Sequence, residues 1–480
     1  MLAAAIMLKR LLVFLIALLP ALAAGAPMGF DEARHLLNRT SFAANVEDIE
    51  SFAKLTRAQA VDQLLAWTSG KMITPPPAWV NEFESPRRLR DASEEERKAF
   101  QRQQAEKGAE LRGWWITEML TTPSPLTEKM VLFWHNHFVS GLQKVRSPVL
   151  MYRQNQLLRK HAFGYFGDLL HEVSKDPAMV VYLDGASNRK GKPNENFARE
   201  VMELFTLGEG HYSEQDVKEA ARAFTGWSID PDSGEYLFRR PAHDEGVKTL
   251  LGRSGNFDGD AVLDLLLAQA QTGEFVVSKL WREVVSPQPD ATEVRRIARM
   301  FRDNRYNIKV ALRALLLADA FYAPQNRAAL IKSPVDLIVG TLRQFRFETG
   351  EVTPFLLAAR QLGQDVFAPP NVKGWPGGEA WINSASLLSR KQFLERLFRA
   401  QEMRQPLPAA LPGAPPRERL VRAALDIHFD SELWFKQFAQ GDALLTKVVL
   451  ATEPAATAAS TAQGVPRLRE LVLDPAYQLK

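Results

Sequence analysis

Two histidines one residue apart are the first feature of the sequence that could do chemistry. They are His135 and His137, in the stretch FWHNHFVSG. On a strand, residues i and i+2 point the same way and could hold one metal ion, whereas on a helix they diverge by about 200°. The preceding Ser124-Pro125 pair and the following Gly141 indicate a helix. We therefore expect the histidines on different sides of a helix, each as a functional side chain or as a hydrogen-bonded core residue.

A pair of carboxylates is the second candidate, on the helix predicted for PNENFAREVMELFTLGEG (residues 193–210). At 100° per residue, the apolar side chains of this segment share one face and the polar side chains lie on the other. Glu200 and Glu203, three residues apart, could present both carboxylates to a metal ion or a substrate. The alternative is a solvated face on which Arg199 pairs with Glu203, worth only ~0.3–0.5 kcal/mol.

His243 and Asp244 lie in the loop PAHDEG, between two segments with strand character. Loops often carry functional groups on a scaffold, so His243 could act as a base or a ligand while Asp244 orients another group. The alternative is an Asx-type turn inside a hairpin.

Two tryptophans and several polar side chains could bind a substrate. Trp375 and Trp381, in GWPGGEAW, could stack on a sugar or another planar ligand, or they could anchor a long loop to the body. The candidate substrate-binding residues are Asn194, Asn196, Asp244, Trp375 and Trp381.

The elements that must position these residues are mainly α-helices. We expect one large multi-helix body with a small β-hairpin insertion near 234–252. The charged stretch 82–112 predicts either a long exposed helix or a partly disordered arm. The predicted organisation is a signal peptide at 1–26, a helical body at 27–403, a Pro- and Ala-rich linker or wrap at 404–420, and a C-terminal helical segment at 421–480 with a low-complexity stretch at 452–464.

The N-terminus predicts export. Lys9 and Arg10 precede an apolar run from Leu11 to Leu19, and small residues follow, which is typical of a cleaved signal peptide. The expected location is the periplasm or the extracellular space. No later stretch approaches ~20 uninterrupted apolar residues, so we expect no membrane span after cleavage.

Composition narrows the possible partners and cofactors. The chain has 60 Lys and Arg against 56 Asp and Glu, a net charge of +4, which does not indicate a nucleic-acid partner. It contains no cysteine, which excludes Fe–S clusters and c-type haem attachment. There is no NAD or ATP motif. The cofactor that the sequence allows is a divalent metal, with His135, His137 and Glu203 as candidate ligands.

Eight motifs stand in an order that resembles a bacterial family of exported proteins, catalogued as domain of unknown function 1800. The motifs are FWHNHFVSG, DPAMVVYLDG, PNENFAREVMELFTLGEG, YSEQDVKEAARAFTGW, HDEGVKTLLG, FVVSKLWREVVS, IKSPVDLIVGTLR and PPNVKGWPGGEAWINSASLLSR. The resemblance covers nearly the whole mature chain. It implies no established activity, but it does imply an exported sulfatase-like protein of a neighbouring family as a partner. It also suggests that the polar motif residues, His161 and Asp184 included, converge in space.

Two hypotheses follow. In the first, the protein is an extracytoplasmic enzyme with a His/carboxylate pocket, metal-assisted or not, in which Glu200 or His243 is the base and Arg199 orients an anionic group. The metal would be Zn, Mn, Fe or Ca. In the second, it is a non-catalytic periplasmic binding or assembly protein that works with an exported partner.

Overall fold

The computed structural model describes residues 25–402, 427–455 and 460–480. The predicted signal peptide up to residue 24, the predicted linker at 404–420 and residues 456–459 of the low-complexity stretch lie outside the described residues. Within the described part, α-helices dominate and the strands form only two-stranded antiparallel sheets. The predicted fold class, mainly α with small β-hairpin insertions, is confirmed.

Helices of 4 to 28 residues build the first half of the described chain. They are α1 (Gly29–Thr40), α2 (Val46–Ala53), α3 (Arg57–Ala66), α4 (Glu94–Thr121), α5 (Pro125–His137), α6 (Leu142–Val145), α7 (Pro148–His161), α8 (Phe166–Ser174), α9 (Pro177–Tyr182), α10 (Asn196–Glu200) and α11 (Glu214–Ala223). A π-helix, Val201–Thr206, continues α10 directly.

The second half adds helices that pack on the first. They are α12 (Gly259–Leu267), α13 (Ala270–Val284), α14 (Ala291–Asp303), α15 (Ile308–Leu316), α16 (Asp319–Tyr322), α17 (Pro334–Gln344), α18 (Thr353–Gln361), α19 (Ser384–Glu402), α20 (Ser431–Phe435), α21 (Asp442–Val449) and α22 (Gly464–Leu473).

The strands pair differently from the expected single hairpin. The pairs are β1 (Trp227–Ile229) with β2 (Tyr236–Phe238), β3 (Lys248–Leu250) with β4 (Arg253–Gly255), and β5 (Glu348–Thr349) with β6 (Ile427–His428). The two segments expected to pair, β2 and β3, therefore belong to separate hairpins. The first hairpin closes because the Asp230 carboxylate accepts hydrogen bonds from two turn amides and Gly234 adopts a φ of 71°.

The charged stretch 82–112 is partly helical. Its helix, α4, begins only at Glu94, because Ser93 and Glu96 form a reciprocal capping box. The first turns of α4 are exposed, and its C-terminal half buries Trp114 and Trp115 in the core. The helix therefore projects a charged end from a firmly packed base.

The C-terminal segment packs on the body. Tyr477 is fully buried, and Ile331 and Leu479 form a β-bridge. Trp434 donates its indole N–H to the Gln344 carbonyl at 2.8 Å. Helix α22 lies against α19. The described C-terminal residues thus share the hydrophobic core of the body. Among the described residues, no helix has the combination of length and apolar character needed to cross a bilayer.

Candidate functional site

His135 is packed in an aromatic box. It lies on α5, and its ring is within 5.6 Å of the ring centres of Trp115, Phe367 and Trp375. The side chain is 2% exposed, and its Nε2 has no hydrogen-bond partner among the described residues. Burial lowers the pKa of His135 to about 3, so the ring is neutral at physiological pH.

His137 lies on another side of the same helix and contacts a different part of the protein. Its Nε2 donates to the Phe205 carbonyl at 3.1 Å, and its Nδ1 accepts from the Lys279 ammonium at 3.2 Å. Burial, and then the charge of Lys279, lower the pKa of His137. Both ring nitrogens are therefore used in hydrogen bonds to other elements, and the predicted divergence of His135 and His137 is observed.

His137 and Lys279 together hold the π-helix. Lys279 donates to the Leu204 carbonyl at 3.1 Å, next to the Phe205 carbonyl that His137 binds. Thr206 donates its hydroxyl to the Val201 carbonyl within the wide turn. A π-helix has a less favourable backbone geometry than an α-helix and is frequently found at functional sites. Here side chains from α5 and α13 stabilise it.

The π-helix and the end of α10 carry the two predicted carboxylates. Glu200 is half-buried; its burial and the negative charge of Glu203 raise its pKa to about 7. Glu203 accepts a hydrogen bond from the Tyr212 hydroxyl at 2.8 Å, and the Lys373 ammonium lies 3.9 Å from its other oxygen. We call Glu200, Glu203, Tyr212 and Lys373 the carboxylate site.

The loop that carries Lys373 is fixed by Asn136, the residue between the two histidines. The Asn136 side-chain oxygen accepts from the Trp375 amide at 2.7 Å, and its amide nitrogen donates to the Trp375 carbonyl at 3.3 Å. Gly374 allows this close approach, since a Cβ at this position would lie 2.2 Å from the Asn136 oxygen. Three consecutive residues of FWHNHFVSG thus position both halves of the carboxylate site.

Arg199 does not pair with Glu203 as the solvated-face alternative supposed. Its guanidinium binds Glu214 with two hydrogen bonds of 2.8 Å and Glu195 at 3.1 Å. The physical reason is the π-helix, which begins at Val201 and moves Glu203 off the i,i+4 line of a regular α-helix. Arg199 therefore binds two other carboxylates, and its guanidinium is not paired with Glu203.

Asn194 and Asn196 form part of a polar rim beside α10. Asn196 donates to Asp184 at 2.9 Å, and Asp184 also accepts from Lys144 at 2.8 Å. Asn194 donates to the Ser187 hydroxyl at 3.0 Å. The rim thus links α6, the turn after α9 and the start of α10.

His243 and Asp244 form a separate network around α11. The Nδ1 of His243 lies 2.9 Å from the Thr225 carbonyl, and the ring is buried. Asp244 binds the Arg222 guanidinium at 2.9 and 3.2 Å, and these hydrogen bonds lower the pKa of Asp244 to about 2. Lys248 donates to the Asp244 carbonyl. The hydrogen bonds of this network fasten the β3–β4 hairpin to α11 and do not involve Glu200 or Glu203.

The remaining predicted residues are buried or paired elsewhere. Trp375 and Trp381 are 3% and 7% exposed, so their rings lie in the body of the protein. His161 lies 3.0 Å from Glu172 on α8. In the parts of the chain that the structure describes, no group of three or more His, Asp or Glu side chains is arranged to hold a metal ion.

Comparison of the sequence with models of protein families identifies the family of this chain. The model of the family described as "Protein of unknown function (DUF1800)" matches residues 35–479. The chain belongs to the DUF1800 family. No curated protein and no solved structure matches this DUF1800 chain.

The structure of this DUF1800 protein thus joins two predicted residues with two that the sequence did not single out. Glu200 and Glu203 come together as expected, and Tyr212 and Lys373 complete the site. Tyr212 begins the motif YSEQDVKEAARAFTGW, directly after the motif that carries Glu200 and Glu203, so proximity in sequence could have suggested it. Lys373 comes from a distant loop, and no spacing signal connects it with Glu203.

Proposed function

We propose that the protein is an exported glycoside hydrolase in which Glu200 is the general acid and Glu203 the general base. The observation that carries this proposal is the unequal environment of the two carboxyl groups. Glu200 is half-buried beside a negative charge, and its pKa of about 7 keeps a proton available near neutral pH. Glycoside hydrolysis uses such a pair, one carboxyl protonated and one ionised.

The contacts of Glu203 suit a base. Tyr212 and Lys373 compensate its negative charge without occupying both oxygens fully, because the ammonium lies 3.9 Å away. Burial and the Glu203 hydrogen bond raise the pKa of Tyr212, so its hydroxyl stays a donor at neutral pH. The Lys373 loop is in turn held by Asn136.

The proposed reaction needs no reactant other than the glycan and water. Water attacks the anomeric carbon and transfers a proton to the Glu203 carboxylate, while the C–O bond to the leaving group breaks. Glu200 gives its proton to the leaving oxygen. Exchange with solvent then returns the proton from Glu203 and restores protonated Glu200. The rim of Asn194, Asn196 and Asp184 offers both donors and acceptors, which suit a hydroxyl-rich substrate.

Export supports a polymeric or extracellular glycan as the substrate. The basic residues, apolar run and small residues of the first 26 positions support secretion. The expected substrate is therefore a glycan that the exported protein meets outside the cytoplasm.

The experiment is reducing-end release from a panel of cell-wall and extracellular glycans, with 4-nitrophenyl esters included to test the reaction class. We expect glycan turnover, lost about 10²–10⁴-fold in Glu200→Gln and in Glu203→Gln. Glu209→Gln is the matched control, because Glu209 is exposed and lies just after the π-helix. Turnover that is unchanged in Glu200→Gln, ester cleavage alone, or no release from any glycan by folded wild-type protein would contradict the proposal.

A further inference from the structure

We infer that a large basic groove on this protein binds an extended acidic peptide segment of a partner. The groove is lined by the charged stretch 82–112, by residues 142–150 of α6 and the start of α7, by the β1–β2 hairpin and by residues 360–370. Its volume is about 1620 Å³. Sites for single small molecules are typically ~300–1,000 Å³. The groove therefore has room for a segment of a polymer.

The groove carries an excess of positive charge, which favours an anionic ligand. Seven of its lining residues are Arg or Lys, and three are Glu or Asp. Of those acids, Asp365 is bound by Arg112 at 2.8 Å, and Glu84 is bound by Lys107 at 2.5 Å and by Arg88 at 2.7 Å. The charge of these two carboxylates is therefore matched within the protein, and an excess of cations remains.

Three arginines provide that excess. Arg90, Arg146 and Arg239 are exposed in the groove, and none of them forms an ion pair with another described residue. Their guanidinium groups are free to bind carboxylates with paired hydrogen bonds, a geometry that arginine favours over lysine.

Arg146 has a second unusual property. It ends α6 in the left-handed conformation, with a φ of 53°, a position that glycine or asparagine occupies more cheaply. An arginine at a left-handed helix end is a local strain, and such strain is concentrated at functional positions. Replacing Arg146 by glycine would therefore remove the guanidinium without straining the backbone.

The walls of the groove favour a peptide over a polysaccharide or a nucleic acid. Most of the apolar lining is aliphatic or proline, including Leu142, Val149 and Pro231. Sugars and bases usually stack on open aromatic faces. The two aromatic lining residues are partly covered, Phe100 by the Arg88 guanidinium at 5.0 Å and Phe83 by the turn at Gly234. Aliphatic walls with arginines suit a segment that alternates acidic and aliphatic side chains.

The test is fluorescence anisotropy with a labelled peptide that alternates glutamate with valine or leucine, added to the full chain. We expect saturable binding that weakens as salt is raised and that is lost when glutamine replaces every glutamate. Arg146→Gly and Arg239→Gln should each weaken binding about tenfold. Arg146→Gly is chosen because glycine accepts the left-handed backbone, so this variant should fold.

The matched control is Arg299→Gln, an exposed arginine of α14 outside the groove. It should bind the peptide as the wild type does, and so should Glu200→Gln, which separates this inference from the proposed hydrolysis. Equal loss of binding in Arg299→Gln, unchanged binding in both groove variants, or tight arginine-dependent binding of dextran sulfate or DNA without peptide binding would overturn the inference.

Discussion

The raised pKa of Glu200 has a consequence for stability that can be measured without a substrate. Its folded-state pKa is about 7, against an ordinary value of 4.5. The folded protein thus holds the proton more tightly than the unfolded chain between these two pH values. Stability should therefore fall as the pH rises from about 4.5 to about 7 and then level off. Glu200→Gln removes the ionising group and should relieve this loss.

The magnitude follows from the same values. A change in pKa from 4.5 to about 7 corresponds to roughly 3 kcal/mol if solvent screening is ignored. Because Glu200 is only half-buried, screening reduces the expected effect to about 1–2 kcal/mol. Glu200→Gln should accordingly be more stable than the wild type by about 1–2 kcal/mol at pH 8, with little difference near pH 4.5.

The assay is urea unfolding followed by tryptophan fluorescence at pH 5, 6, 7 and 8, with the variant compared with the wild type at each pH. Glu209→Gln serves as the control and should show a difference that does not change with pH. A pH-independent difference for Glu200→Gln, or a destabilisation that grows towards pH 8, would refute the electrostatic account of Glu200.

Two further predictions concern buried polar side chains of the body. His137→Phe should destabilise the protein by about 2–4 kcal/mol in urea unfolding, because it leaves the Phe205 carbonyl without its donor. His135→Phe should change stability by less than about 1 kcal/mol, because the Nε2 of His135 has no hydrogen bond to lose. Asp336→Asn should cost about 3–5 kcal/mol, because the buried Lys129 loses its carboxylate partner and the buried Lys480 keeps only Glu283 at 3.7 Å. Asp62→Asn, at an exposed pair, should cost about 0–1 kcal/mol, and equal losses in the two variants would contradict this account.

Local sequence signals predicted the parts of the site that depend on nearby residues. The Ser-Pro start predicted the helix that separates His135 from His137. The helix ends at His137, however, and Gly141 precedes the next helix and does not end this one. The i,i+3 spacing predicted that Glu200 and Glu203 lie close together. They remain close enough for the charge of Glu203 to raise the pKa of Glu200, although the π-helix begins between them.

Features that depend on distant residues could not be predicted in this way. The π-helix is stabilised by His137 and Lys279, which lie on other helices, so its own residues carry no clear sign of it. For the same reason the Arg199–Glu203 pair of the solvated-face alternative is absent. The strand pairing was misassigned because the turn formed by Asp230 and Gly234 is as strong a hairpin signal as the PAHDEG loop.

The two histidines of FWHNHFVSG have different physical roles, and together with Asn136 they explain how distant elements meet. His135 fills a space between aromatic rings, Asn136 holds the backbone at Trp375, and His137 binds the end of the π-helix. Since α5 is a rigid helix, these contacts fix the Lys373 loop and the Glu203 segment relative to each other. A substitution at Asn136 should thus displace Lys373 from Glu203 without touching either side chain. The motif is better understood as the support that sets the distance between the Glu203 carboxylate and the Lys373 ammonium than as a metal chelate.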